Sequence, residues 1–156
     1  MRRKDREVTD TKELVELIEK SKVCYVAMID EGFPYIVPLS FGYKITEKGL
    51  TLYFHSAKEG KKLDVIRKNG NVCFNISVQE KLTINDDIPC SSGCTYGSVT
   101  GIGTAEIIES VEEKCHALSV LMKHQAGKTV VFNAKQADAV CVFKINVKEF
   151  TGKRKV

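Results

Sequence analysis

The sequence lacks any long apolar run. Its apolar stretches fall far short of the roughly 20 residues that a membrane-spanning helix needs, and the charged start MRRKDR leads into no signal-peptide-like apolar segment. We therefore predict no membrane partner, no export and a cytoplasmic location. A dense basic face with interleaved aromatic residues is also missing, so we expect no nucleic-acid partner. The net charge of +4 is compatible with a small anionic ligand.

The composition is that of a soluble globular protein, with 43% hydrophobic and 28% charged residues. A chain of 156 residues is long enough to bury one core without disulfides or metal ions. We therefore predict a single domain over residues 1–156. The excess of positive charge is concentrated at the two ends, in Arg2, Arg3, Lys4 and Arg6 and in the tail at 151–156.

Three of the six cysteines lie inside apolar strand patterns, namely Cys24, Cys73 and Cys141. Cysteines in such patterns behave as small buried hydrophobic residues, and without an export signal they are expected to stay reduced. These three are therefore predicted to be buried thiols.

The other cysteines raise the question of a metal site. Cys90 and Cys94 have a spacing that zinc accepts, but Cys115 and His116 are adjacent on a predicted helix and project in different directions. We therefore predict no metal. Cys90 and Cys94 are either a redox-sensitive thiol pair or two inert thiols.

The periodicity of apolar residues gives the order of elements. A helix at 10–20, capped by Asp10, comes first. It is followed by strands at 22–29, 33–45 and 50–55, a helix at 58–68, strands at 72–78 and 98–108, a helix at 111–125, a helical turn at 133–137 and a strand at 139–150. Residues 79–95 are rich in Asp, Asn, Ser, Pro and Gly and indicate a long excursion that is either mobile or functional. The absence of a regular β-α-β alternation excludes a Rossmann sheet and favours a small, mainly antiparallel barrel with peripheral helices.

The stretch from Leu50 to Lys68 passes from a strand into a short helix through a turn that contains Ser56, Gly60 and several lysines. Free N–H groups at a helix start, the helix dipole and a nearby ammonium group would suit a phosphate. A solvated, lysine-rich helix face is the alternative.

Two further strands each allow two interpretations. Pro34 and Pro38 fall within one predicted strand, which is therefore bulged or at an edge. Free backbone groups of this strand could bind the polar edge of a flat heterocycle, or the strand is only an irregular edge.

Gly101 and Gly103 share one face of another strand. They indicate a barrel bend, a surface for a flat ligand, or both.

Histidine provides few candidates. His55 lies at the mouth of the turn, where it could contact cofactor, substrate or haem, or only bond the turn backbone. We expect His124 to cap its helix and His116 to be solvated. No Ser-His-Asp or paired-carboxylate constellation is present, so no catalytic side chain is predicted.

Five segments together resemble one known family. They are GFPYIVPLSFGY (32–43), LYFHSAKEGKKLDVIRKNGNVCF (52–74), YGSVTGIGTAEII (96–108), LMKHQ (121–125) and VFKINVKEFTGKRK (142–155). In order and spacing they are similar to the pyridoxamine 5'-phosphate oxidase-like flavin-binding split barrels, and within them to the group related to nitroimidazole resistance reductases.

The resemblance implies a six-stranded antiparallel split β-barrel, a homodimer with two sites at the subunit interface, and FMN as cofactor. The FMN-binding residues that it implies fall into three groups. Pro38, Leu39 and Ser40 would face the isoalloxazine ring, His55, Ser56 and Ala57 would line the turn with Lys61 or Lys62 on the phosphate, and Ser98 would come from the other subunit. Relatives often have a bulky basic residue where this chain has Gly97.

The resemblance also implies a function. We expect an FMN-dependent oxidoreductase that passes electrons from a reduced nicotinamide or another donor to a small flat acceptor such as a nitroaromatic compound. A flavin brings its own redox chemistry, so the protein has to orient it and limit access of water and oxygen. The alternatives are a non-catalytic flavin- or haem-binding module and a thiol- or metal-based redox sensor.

Overall fold

A computed structural model describes residues 3–155, apart from the side chain of Glu80. The helices are α1 (Thr11–Lys20), α2 (Lys61–Lys68), α3 (Val111–Ala126) and α4 (Ala134–Ala137), and two 3₁₀ turns span Lys4–Arg6 and Pro89–Ser91. The strands are β1 (Glu7–Val8), β2 (Val23–Asp30), β3 (Phe33–Ser40), β4 (Gly42–Thr46), β5 (Gly49–Ser56), β6 (Asn71–Thr83), β7 (Gly93–Ile107) and β8 (Cys141–Lys155).

All strand pairs are antiparallel and form one sheet in the order β3-β2-β6-β7-β8-β5-β4, with β1 added beside β8. The sheet curls around a core whose largest buried side chains include Phe41, Phe54, Phe74 and Phe143. Counting β3 and β4 as one chain segment and setting aside the two-residue β1, six long segments build it. The predicted mainly β split barrel with peripheral helices is confirmed.

The second predicted strand, 33–45, is divided in the structure at Phe41. β3 pairs with β2, whereas β4 pairs with β5 at the other end of the sheet order. One continuous strand is therefore a wrong prediction, because the segment passes from one half of the split barrel to the other. Phe41, at the crossing, is completely buried.

Helix α1 packs its apolar side against the barrel. Asp10 accepts hydrogen bonds from the N–H groups of Lys12 and Glu13, as expected of a helix cap, and Leu14, Leu17 and Ile18 are buried. Gly97 on β7 lies directly against Leu17, so that a Cβ at residue 97 would be 2.1 Å from the Cδ2 of Leu17. A bulky basic side chain does not fit here, and residue 97 faces the core rather than a ligand.

The two glycines of β7 mark a bend. A Cβ on Gly101 would lie 2.7 Å from ring atoms of Phe74, and one on Gly103 would lie 2.5 Å from the carbonyl oxygen of Asn146. The register of β7 against β8 shifts between Ile102 and Gly103. Both glycines face the interior, so they allow close packing at the bend instead of forming a surface for a flat ligand.

The predicted excursion at 79–95 and the predicted tail are largely strand. β6 continues to Thr83 and pairs with β7 from Gly93 onwards, which leaves only residues 84–92 as a connection. The basic tail at 151–155 extends β8 and pairs with both β7 and β1. Arg2 and Val156 lie outside the described residues.

Among residues 3–155, no helix is both long and apolar enough to cross a bilayer.

Two predicted helical segments differ slightly from the structure. The predicted helix at 58–68 begins at Lys61. The predicted turn at 133–137 is present as α4, where Asn133 and Gln136 form a capping box.

Candidate functional site

The turn between β5 and α2 has the geometry of a helix-start anion site. Ser56 is buried and its hydroxyl donates to the carbonyl oxygen of Ala57 at 2.8 Å. Gly60 precedes α2 with a φ of 141°, which side chains rarely adopt, and a Cβ there would meet nothing within 4 Å. The Leu63 N–H donates to the Gly60 carbonyl oxygen at 2.9 Å. The two N–H groups before it, those of Lys61 and Lys62, belong to the helix start and point out of its end.

The side chains of the two lysines lie in different surroundings. The Nζ of Lys61 lies 2.8 Å from Asp30 Oδ2 and 4.8 Å from the ring centre of Tyr35. The hydrogen bond to Asp30 raises the pKa of Lys61. Lys61 is therefore directed to the β2–β3 turn and already has a carboxylate partner. Lys62 is half-buried.

Lys62 belongs to a group of cations around Cys141, which pairs with Ser56 across β5 and β8. Burial raises the pKa of the Cys141 thiol, and the positive charges of Arg67, Lys114 and Lys62 oppose that rise. Glu109 adds to the rise, and Arg67 and Lys114 form ion pairs with Asp64 and Asp138, so the positive charge near Cys141 is partly balanced. Sequence reasoning did not connect Arg67 and Lys114 to this place, because only the packing of α2 and α3 brings them there.

Strand β3 forms one edge of the sheet. Its eight residue pairs with β2 run without a register shift. Of the two predictions for this strand, the edge position is therefore confirmed and the bulge is wrong. Proline is tolerated in a strand where its nitrogen points away from the neighbouring strand. Pro34 and Pro38 therefore mark the residues of β3 whose backbone nitrogens face the free edge. Ser40 lies two residues after Pro38, so its backbone nitrogen faces the same way. The N–H of Ser40 is thus directed to the free edge, while the side chain of Leu39 packs on the core.

Pro38, Ser40 and Ser98 lie on one surface of the sheet, which we call the outer face. Its members alternate with core residues and are exposed or half-buried in the protomer. The outer face contains Val23, Tyr25, Ile29, Ile36, Pro38, Ser40, Cys73, Asn75, Ser98, Thr100 and Ile102.

Ser98 and Ser40 belong to the same row of this face but are not neighbours. Ser40 on β3 pairs with Val23 on β2, and Ser98 on β7 pairs with Ser77 on β6. In the sheet, β6 lies beside β2. Three strand spacings separate the two serines, about 14 Å. Within one protomer the structure does not bring Ser98 to the edge of β3.

The histidines divide into one held and two exposed side chains. The Nε2 of His124 donates to the carbonyl oxygen of Ser21 at 2.8 Å, and its ring packs 4.6 Å from that of Phe41 and 5.2 Å from that of Tyr43. His124 thus joins α3 to the chain before β2 rather than capping its own helix. His55 and His116 are exposed.

The cysteine predictions are partly wrong. Cys24 is buried, but Cys73 is exposed and Cys141 is half-buried. Val72, Phe74 and Ile76 occupy the core side of β6, so Cys73 falls on the outer face. Cys90 is exposed in the turn at Pro89–Ser91, and Cys94 is half-buried at the start of β7. Within residues 3–155, no group of three or more potential metal ligands comes together.

The LMKHQ segment has a structural role that sequence reasoning missed. The side-chain amide of Gln125 donates to the carbonyl oxygens of Lys22 and Phe41 at 3.0 and 2.8 Å. Gly42 lies directly against the backbone of Leu121. The end of α3 therefore holds the crossing from β3 to β4, which positions the Pro38–Ser40 edge.

Known proteins provide an independent comparison. The crystal structure of a protein from Bacteroides thetaiotaomicron, provisionally named a 5-nitroimidazole antibiotic resistance protein, is 34% identical, with a TM-score of 0.81 over 95% of this chain and 86% of that one. The flavocytochrome Anf3 from Azotobacter vinelandii is 18% identical with a TM-score of 0.78, covering 100% of this chain and 72% of its own. A FAD and haem binding protein from Mycobacterium smegmatis is 17% identical with a TM-score of 0.79, covering 96% and 73%. These last two share the fold.

Curated proteins include none that matches this chain. The sequence profile of one family, described as pyridoxamine 5'-phosphate oxidase, matches residues 10–154, which includes every element from α1 to all but the last residue of β8. The chain therefore belongs to the pyridoxamine 5'-phosphate oxidase family.

Proposed function

We propose that the protein is an FMN-binding oxidoreductase that takes electrons from a reduced nicotinamide or a similar donor and passes them to a small flat acceptor such as a nitroaromatic compound. The observation that carries the proposal is the turn from β5 to α2, where two free helix-start N–H groups adjoin the half-buried Lys62. Family membership and the 34% identity to the Bacteroides thetaiotaomicron protein support the cofactor and the acceptor class.

The phosphate group of FMN fits the β5–α2 turn. Helix-start N–H groups bind anions, and the ammonium group of a lysine in the first helical turn adds a charge-assisted hydrogen bond. The open space at Gly60 lets a ligand approach the backbone closely. Lys62 is the better phosphate ligand of the two lysines, because the ammonium group of Lys61 is already bonded to Asp30.

The isoalloxazine ring fits the free edge of β3. Backbone groups at a sheet edge can bond the polar edge of a heterocycle in the way that they would bond another strand. Pro38 supplies a rigid surface without a competing N–H, and the Ser40 N–H supplies a donor. The free edge of β3 approaches β5, whose end carries the phosphate turn, so one elongated ligand can reach both places.

A homodimer completes this site. The outer face exposes several large apolar side chains, among them Tyr25, Ile29, Ile36 and Ile102. A contiguous apolar face of this kind is typical of a protein interface. Because Ser98 is about three strand spacings from Ser40 in its own protomer, roughly 14 Å, it would reach a flavin only from a second copy packed on the outer face.

When bound, FMN supplies the hydride and electron chemistry itself. The chain supplies binding, orientation and exclusion of solvent. Lys62 and the α2 N–H groups hold the phosphate, the β3 edge orients the ring, and the partner's outer face limits access of water and oxygen. No side chain of this chain is assigned a catalytic role.

The absorption spectrum of the purified protein tests the cofactor. We expect paired bands in the blue and near-ultraviolet and release of FMN on denaturation. Turnover of a reduced nicotinamide with a nitroaromatic acceptor then tests the activity. A colourless protein that takes up no added FMN would refute the flavin proposal, and FMN binding without turnover would leave a binding module. A Soret band would indicate haem, for which His124 is poorly suited because its Nε2 is held by Ser21.

A further inference from the structure

The outer part of the β6–β7 hairpin, residues 79–96, projects as an arm. Lys155, the last described residue of β8, pairs with Tyr96. Beyond that pair the arm has only its own two strands in the sheet, which run on to Thr83 and Gly93. From the row of Ser77 and Ser98 the strands extend about 17 Å, before the connecting loop. A two-stranded hairpin alone is marginally stable in water, so such an arm is expected to pack on something.

The arm carries apolar side chains and acidic groups. Leu82, Ile84 and Ile88 are 60%, 67% and 58% exposed. Asp86 and Asp87 lie at its tip, and within the described chain neither forms an ion pair. The tip has a defined shape, because the Oδ1 of Asn85 accepts hydrogen bonds from the N–H groups of Asp87 and Ile88 at 3.1 and 2.9 Å.

A cavity of about 540 Å³ elsewhere on the protomer has apolar walls and basic residues, which complement the apolar and acidic side chains of the arm. It lies between the end of α1, β4 and the end of α3, with Tyr43, Ile45 and Val120 forming apolar walls. Three lysines line it, namely Lys22, Lys44 and Lys123, and its one carboxylate, that of Glu19, accepts a hydrogen bond from the Tyr43 hydroxyl at 2.8 Å. Among residues 3–155, Lys44 and Lys123 form no ion pair. The cavity therefore offers positive charge beside apolar surface.

The sheet register places the arm and the cavity at the same end of the barrel. Ser40, Val23, Ser77 and Ser98 form one row, and the arm leaves the sheet just beyond it. Lys22, next to Val23, lines the cavity. We consider two copies that pack their outer faces together about a dyad that runs along the strands. The arm of one copy then passes over the end of the other copy where β2 begins and β3 ends.

We propose that the arm of one protomer docks into this cavity of a second copy, with Ile84 and Ile88 against the apolar walls and Asp86 and Asp87 near Lys44 and Lys123. The inference rests on the homodimer of the proposed function and names the surface that holds it. With the dyad along the strands, the docked arm lies just beyond the partner's Ser40, so it borders the ring end of the proposed flavin site.

Disulfide trapping with the native thiol of Cys90 in the arm tests the docking. In full-length protein carrying Lys44→Cys, mild oxidation with diamide should yield a covalent dimer on a non-reducing gel. The same variant with Cys90→Ser should not yield it, and neither should Lys135→Cys, at an exposed lysine of α4 that does not line the cavity. Equal cross-linking in these controls would overturn the docking.

Charge removal gives a second measurement. Asp86→Asn with Asp87→Asn should raise the dimer dissociation constant by about 2- to 30-fold at low salt, the range for two surface charge contacts. The effect should shrink at high salt, and Glu112→Gln should not show it. A native protein that is monomeric by light scattering would overturn both the dimer and the docking. A stable dimer with neither cross-link nor charge effect would overturn the docking alone.

Discussion

The side-chain amide of Gln125 donates to the carbonyl oxygen of Phe41 at 2.8 Å, which ties the end of α3 to the residue where β3 gives way to β4. The same amide also donates to the carbonyl oxygen of Lys22, just before β2. One side chain thus holds together three parts of the chain that are distant in sequence. The proposed ring-binding edge at Pro38–Ser40 directly precedes this junction.

Replacing Gln125 by Glu should destabilise the protein. A carboxylate of the same size cannot donate to the two carbonyl oxygens and repels them, so we expect a loss of about 1–3 kcal/mol in the free energy of unfolding. Urea denaturation at neutral pH measures it. Gln79→Glu, at an exposed residue of the arm, is the matched control and should change stability little. Equal effects from the two variants would contradict the role of Gln125.

Gly42 should tolerate no side chain, because a Cβ there would lie 2.6 Å from the Cα of Leu121 and the helix backbone cannot move aside cheaply. We expect Gly42→Ala to cost about 1–3 kcal/mol by overpacking. At Gly93 the atom nearest to an added Cβ is the flexible Nζ of Lys155, so Gly93→Ala should cost much less. Thermal unfolding of the two variants side by side compares them. Similar melting temperatures would show that α3 yields at Gly42.

Much of the fold could be predicted from the sequence, because helix caps, turn residues and apolar periodicity are local signals. The caps at Asp10 and Asn133 are of this kind. The crossing at Phe41 is not, since Leu39 and Phe41 continue the same inward alternation and only tertiary pairing decides which strand each half joins. The arm was missed because turn-forming residues hide its strands. The exposure of Cys73 could have been predicted from its alternation with Val72 and Phe74.

The candidate site could be predicted less completely. The turn with Ser56 and Gly60 follows from the switch between strand and helix periods, and the free edge of β3 follows from its prolines. The ion pair of Lys61 with Asp30 depends on how α2 packs beside β2, which no local pattern reveals. For the same reason, the gathering of Arg67 and Lys114 near Cys141 was beyond sequence reasoning.

The stability of the protein should fall as the pH drops below about 6.5, the ordinary pKa of histidine. Burial lowers the pKa of His124 in the folded state, with the charge of Lys22 acting in the same direction. The unfolded chain therefore binds this proton more readily, and stability present above the unfolded pKa is lost as the pH falls through the folded pKa. Urea unfolding at several pH values measures the slope, which His124→Gln should reduce. An equal slope in the native protein and in His124→Gln would contradict this role of His124.

The thiol of Cys73 should report the proposed dimer. It is exposed in the protomer but lies on the outer face, so a second copy packed there would shield it. We expect Cys73 to react slowly with a thiol reagent at high protein concentration and faster on dilution, as judged by mass spectrometry of labelled peptides. Cys24, buried in the core, should stay unreactive in both conditions. Rapid labelling of Cys73 at every concentration would rule out this face as the interface.

Lys62 should contribute more to FMN binding than Lys61. Lys62 is a half-buried residue of the first turn of α2 and has no carboxylate partner among the described residues, whereas the ammonium group of Lys61 is bonded to Asp30 and exposed. We expect Lys62→Ala to weaken FMN binding by about 1–3 kcal/mol, the range for a lost charge-assisted hydrogen bond. Lys61→Ala should have a clearly smaller effect. Titration of apoprotein with FMN, followed by flavin fluorescence, compares the variants. If Lys62→Ala binds FMN as tightly as the native chain while Lys61→Ala does not, the phosphate lies on the Asp30 side of the turn and the assignment of the two lysines is reversed.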